Sequence, residues 1–243
     1  MSPLKLEDLR SQLIRQEETI IFAFIERAQF RVNAPIYQAG AIPVPGFTGC
    51  FSDYLLYETE KVHARVRRYT SPDEHPFFPD LPQPVLPPMA YAQRIKPNRI
   101  NLNPKIHRLY HEHIVPAICG PGDCQNYGSS ATCDVACLQA LSKRIHYGKF
   151  IAEAKYQADP GAYEPLIRRR NAAGILARLQ DAAVEQRLLD RVRLKAATYG
   201  QEPGEPNPNC KIPPPAISDI YAQWIVPLTC EVEVAYLLDR LDR

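Results

Sequence analysis

Long apolar runs are missing from this 243-residue sequence. No stretch approaches the roughly 20 apolar residues that cross a bilayer, so no membrane partner is expected. An excess of either charge is missing too. Lys plus Arg number 29 against 27 for Asp plus Glu, a formal +2 that gives no bulk attraction for nucleic acid. The seven cysteines are an odd count scattered between Cys50 and Cys230, without a CxxC pair. That argues against a disulfide framework, and the pair His111 and His113 near Cys119 and Cys124 lacks the second half-site of a zinc centre. GxSxG, P-loop and GxGxxG motifs are all absent, so serine acyl transfer and nucleotide binding have no support. Strict alternation and dense β-branched runs are absent as well, which excludes a sheet protein. The opening "MSPLKLEDLRSQLIRQEE" is amphipathic and charged with no apolar signal core, so a cytoplasmic protein with reduced thiols is expected.

What the sequence does contain is helical periodicity interrupted by proline. Leu9, Leu13, Ile20, Phe24 and Ala28 recur at helical spacing and predict one helix over 6–31. A second is predicted over 53–69, ending in Arg67 and Arg68 before Ser71 and Pro72. Nine prolines between Pro72 and Pro104 preclude a continuous helix there. Residues 104–118 are predicted helical, and "CGPGDCQNYGSSAT" (119–132) is predicted to break the pattern. A long helix is expected over 134–157, ended by "ADPGAY" (158–163). A short and a longer helix are expected within 163–199. A second proline-rich loop spans 200–215, and one helix is expected over 216–241. The fold class is all-α, in a single domain over 1–243.

Four of these helices carry polar groups able to face inward. Arg144, Gly148, Ile151 and Lys155 share one stripe at i, i+4, i+7 and i+11. Two cations flanking a glycine could converge on a small anion, or could snorkel at the rim of a core face with Gly148 a packing contact. Asp181 and Glu185 are i,i+4 neighbours whose carboxylates would point the same way, either into a site or into water. Thr229 and Glu233 repeat that spacing, and Glu233 between Val232 and Val234 could occupy a dry place that raises its pKa. Arg10 adds a further cation from the first helix. Three cations against two or three carboxylates suit a small dianion that also carries a hydroxyl or ether oxygen.

The blocks "IIFAFIERAQF", "RVRRYTSPDEHPFFPD", "NYGSSATCDVACLQALSKRIHYGKFIAEAKYQ", "AAVEQRLLDR" and "VPLTCEVEVAYLLDRL" resemble the all-helical, allosterically regulated chorismate mutases of fungi and plants. The resemblance implies an isomerase that turns chorismate into prephenate, in phenylalanine and tyrosine biosynthesis, with no cofactor and no metal. It implies that Arg10 and Arg144 hold the two substrate carboxylates, with Thr229 in support. Lys155 and a protonated Glu233 would flank the ether oxygen, Asp181 and Glu185 would contact the ring hydroxyl, and Gly148 would clear space near the ring. It further implies a homodimer inhibited by tyrosine and activated by tryptophan. The effector site would use Arg67, Arg68, Asn126, Gly128, Ser129 and Thr132, within segments 60–75 and 120–135. Two positions depart from the fungal pattern. Asp181 replaces an asparagine, and Pro213 replaces a threonine linked to the switch. A mutase-like, non-catalytic protein that binds aromatic amino acids is the alternative reading.

Overall fold

Arg27 ends the first helix by folding back on the chain that follows it. The computed structural model describes residues 4–201 and 211–241. Its first helix, α1 (Leu6–Arg27), stops four residues short of the predicted end. The fully buried Arg27 guanidinium donates to the Arg31 and Val32 carbonyls at 3.0 Å each and to Asp134 Oδ1 at 2.7 Å. Bonds from Arg27 thus fix the turn where periodicity alone suggested another helical turn.

Helix α2 (Phe51–Arg65) starts with the Cys50 sulfur accepting from the Asp53 N–H. It ends before Arg67, which adopts a left-handed φ of 68° and starts a 3-10 turn over Arg68–Thr70. Arg67 and Arg68 therefore lie past the helix, not in its last turn. The proline-rich segment that follows has no regular helix, as its missing N–H groups require.

Helices α3 (Asn103–Leu109) and α4 (Val115–Ile118) are joined by a π turn over Tyr110–Ile114. Pro116 lacks the N–H that would bond back to Glu112, and the widened turn accommodates it. The same device recurs where one C-terminal helix was expected. Helix α10 (Pro214–Ile220) passes through a π turn at Tyr221–Ile225 into α11 (Val226–Leu238), with Pro227 in place of the N–H.

Helix α5 (Tyr127–His146) begins earlier than predicted, so "GSSAT" forms its first turns instead of a loop. After Tyr147, α6 (Gly148–Ala158) continues it. Tyr147 keeps helical dihedrals of φ −62° and ψ −17°, so the single expected helix is interrupted without being redirected. Where one short helix was expected there are two, α7 (Pro160–Arg168) and α8 (Ala172–Leu179), followed by α9 (Ala182–Tyr199). Asp159 and Asn171 cap the two short helices with their side-chain oxygens, which is why the chain restarts a helix at each. Of the second proline-rich loop, 202–210 lie outside the described residues.

No strand occurs among the described residues. One core cluster joins α1 (Ile20, Phe24), α5 (Leu138, Leu141) and the last helices (Ile217, Val232). A second joins α6 (Phe150, Ile151), α8 (Ile175, Leu179) and α11 (Tyr236, Leu237). Helix α11 belongs to both, and α5–α6 runs from one to the other. Their facing sides meet at a cavity.

Candidate active site

That cavity measures about 690 Å³ and takes side chains from α1, α5, α6, α8, α9 and α11. Arg10, Arg144, Lys155, Asp181, Glu185, Thr229 and Glu233 all line it. The volume suits a small ligand held between helices.

Arg144 is 3% exposed, and its Nη1 donates to Thr229 Oγ1 at 3.3 Å. Thr229 in turn donates to the Ile225 carbonyl at 2.7 Å, which orients its oxygen toward the guanidinium. No carboxylate pairs with Arg144 among the described residues, and its buried Nε has no hydrogen-bond partner. A desolvated cation left this way costs free energy until an anion reaches it. Arg10, exposed on α1, supplies a second guanidinium at the cavity wall.

Lys155 is held from the opposite side. Its Nζ donates to the Leu179 carbonyl at 2.6 Å and stands 3.8 Å from Glu233 Oε2. Leu179 closes α8, where an unpaired carbonyl and the negative end of the helix dipole both favour a cation. Burial pushes the Glu233 carboxyl up to about 7; Lys155 and then Arg144 hold it down, while Glu185 pushes it further up. Below pH 7 this residue is therefore a neutral acid with a proton to donate.

Two expectations need correction. Asp181 is not the helical i,i+4 partner of Glu185. It is the N-cap of α9, and its Oδ1 accepts from Ala183 and Val184 N–H at 3.0 and 3.1 Å. An aspartate is a strong cap, and capping turns that oxygen toward the helix end. Gly148 does not clear space for a ligand either. A Cβ there would stand 3.0 Å from Thr229 O and Cγ2 and 3.1 Å from Glu233 Cγ. The missing side chain lets α11 approach α6, and so brings Thr229 and Glu233 to the cavity. Gly148→Ala should force this contact apart and cost about 1–3 kcal/mol of stability, as overpacking does. Urea denaturation of the two proteins measures it, and unchanged stability would refute the packing role.

The Leu179 carbonyl that seats Lys155 escaped the sequence reading, since a backbone acceptor has no side-chain signal. Gln180 and Arg178 also line the cavity, with Arg178 paired to Asp159 at 3.3 Å.

The effector candidates lie elsewhere. Arg67 donates to the Pro87 carbonyl. Arg68 donates to Glu74 at 3.1 Å and to Gln139 at 2.6 Å. Asn126, Gly128, Ser129 and Thr132 are exposed around the start of α5, where Thr132 donates to the Gly128 carbonyl at 2.8 Å. Arg68 lines a separate cavity of about 270 Å³ with Gln139 and Lys143, and the turn residues do not reach it.

Fold and site together define an all-helical protein with a half-open pocket bounded by cations and one neutral acid. Residues 126–234 match the family model for chorismate mutase type II. The chorismate mutase of Schizosaccharomyces pombe is 49% identical over 98% of this chain and 97% of its own. The crystal structure of the Candida albicans Aro7p chorismate mutase in complex with L-Trp superposes with a TM-score of 0.95. It is 43% identical, over 98% of this chain and 92% of that one. AtCM1 with tyrosine bound in its allosteric site gives a TM-score of 0.91 at 48% identity, covering 98% and 97%. This chain belongs to the chorismate mutase family, in its fungal and plant form, and is an isomerase.

Proposed function

We propose that the 690 Å³ cavity holds chorismate as its dianion and rearranges it to prephenate with the residues described above. The observation that carries this reading is the buried Arg144, which has no carboxylate partner among the described residues. One substrate carboxylate completes it through charge-assisted hydrogen bonds, with Thr229 alongside, and Arg10 takes the other. The reaction is an intramolecular [3,3] shift, so what the protein supplies is a folded substrate and stabilised charge. The ether oxygen becomes more negative as its bond breaks. Lys155 and the protonated Glu233, 3.8 Å apart, offer two donors to that one oxygen. Glu185 and Asp181 line the remaining side and accept from the ring hydroxyl. Asp181 keeps its cap while doing so, through its second carboxylate oxygen.

Residues 1–243 form one mutase domain in this reading, and two copies build the effector site from segments 60–75 and 120–135. The exposed start of α5 and the arginines past α2 would face each other across copies, with tyrosine inhibiting and tryptophan activating. Support comes from the relatives that bind L-Trp and tyrosine. Pro213, just before α10, has neither an amide N–H nor a hydroxyl to relay the switch, so coupling weaker than effector binding is expected. Rates of chorismate loss with and without each amino acid test this, and no response to either overturns it. The six described cysteines are unpaired thiols, which favours a reducing, cytoplasmic setting. No described helix is long and apolar enough to cross a membrane.

A further inference from the structure

A second cavity, of about 620 Å³, lies under the proline-rich segment and shares no lining residue with the active site. Its lining carries one acid, Glu74, against the bases Arg94, Lys96 and Lys149. Lys149 is 1% exposed in the first turn of α6. Its Nζ donates to the Ile100 carbonyl at 2.6 Å and lies 2.8 Å from His75 Nε2.

The histidines here add no negative charge. His75 stacks on His146 with ring centroids 4.2 Å apart. His146 is fully used, accepting the Leu102 N–H at Nε2 (2.9 Å) and donating from Nδ1 to the Ser142 carbonyl (2.8 Å). With Lys149 donating to Nε2, the neutral His75 carries its proton on Nδ1, and that buried atom has no partner. Burial draws Lys149 down to about 7; burial, helped by the charges of His146 and Lys149, draws His75 down to about 2.

Glu74 does not relieve this. Its two oxygens are taken by Arg68 at 3.1 Å and Lys143 at 2.8 Å, and Lys143 also holds Asp73 at 3.1 Å. Lys149 makes no ion pair among the described residues. The cavity thus combines a buried amine with no ion pair among the described residues and a guanidinium from Arg94, which is exposed on the loop. Each is a donor, and each is satisfied by the same kind of group.

We propose that this cavity binds a small oxyanion, a phosphate or carboxylate group, between Lys149 and Arg94. Bound there, the anion takes a hydrogen bond from the Lys149 ammonium, which then remains protonated at neutral pH. Its negative charge offsets the desolvation that the unpaired amine otherwise suffers.

The test is calorimetric titration of the full chain with inorganic phosphate and, separately, with malonate, the active site being saturated with prephenate. Saturable binding of at least one anion is expected. Lys149→Met and Arg94→Ala should each weaken it about tenfold or more, as loss of a hydrogen bond to a charged group does. Binding of phosphate alone or malonate alone identifies which group is read. Arg94→Ala changes an exposed loop residue and leaves the fold intact, so it decides the matter should Lys149→Met fail to fold. No saturable binding of either anion, or parental affinity in a folded variant, would overturn the proposal.

Discussion

Arg144→Ala should lower kcat/KM for chorismate by about two to three orders of magnitude, or about 2.7–4 kcal/mol, the range for removing one preorganised donor. The size follows from the position of the guanidinium. It is 3% exposed, faces Thr229 at 3.3 Å and has no carboxylate partner among the described residues. Its field is therefore little screened by water and is not neutralised by an ion pair among the described residues. Lysine should not rescue the loss, because a point charge cannot form the paired bonds of a guanidinium with a carboxylate. A structural role would show differently. Since no described carboxylate forms an ion pair with Arg144, Arg144→Met should melt no lower than the parent while losing the same activity. A kcat/KM within threefold of the parent in Arg144→Ala would remove the residue from the mechanism.

Replacing Lys155 by methionine should cost a similar factor of about 10²–10³ in kcat, and should leave a second mark. Lys155 is the stronger of the two cations that hold the Glu233 carboxyl down. Without that charge the carboxyl should remain protonated to higher pH. The residual activity of Lys155→Met should then decline at a more alkaline pH than that of the parent. A lysine that only tied α6 to the Leu179 carbonyl would leave the position of that decline unchanged. Kinetics across pH on both proteins separate the two roles.

Much of this site was legible in the sequence because helical spacing is a geometric statement. Arg144 and Lys155 lie eleven residues apart, and the interruption at Tyr147 keeps helical dihedrals, so both reach one cavity. Thr229 and Glu233 likewise follow from one turn of α11. The dry surroundings of Glu233 could be anticipated from its valine neighbours, and its raised pKa agrees. What was misread depended on hydrogen bonds and helix contacts that no spacing encodes. Asp181 could be a helical carboxylate or a cap, and only the N–H groups of Ala183 and Val184 decide. Gly148 could face a ligand or a helix, and α11 fills the space. The π turns before Pro116 and Pro227 were signalled by proline, but the shift in bonding belongs to the folded chain. The end of α1 was hidden because it rests on Arg27 reaching Asp134 across 107 positions.

The measurement that bears most directly on the whole account is kcat for chorismate consumption from acid to alkaline pH, in the parent and in Glu233→Gln. A carboxyl raised to about 7 donates a proton below that value and loses it above. The parent should hold its rate on the acid side and fall about tenfold per pH unit beyond the pKa. Glutamine donates at every pH, so Glu233→Gln should keep a flat profile and overtake the parent at high pH. Failure of the parent to consume chorismate, or a glutamine variant that declines with pH as the parent does, would contradict the account.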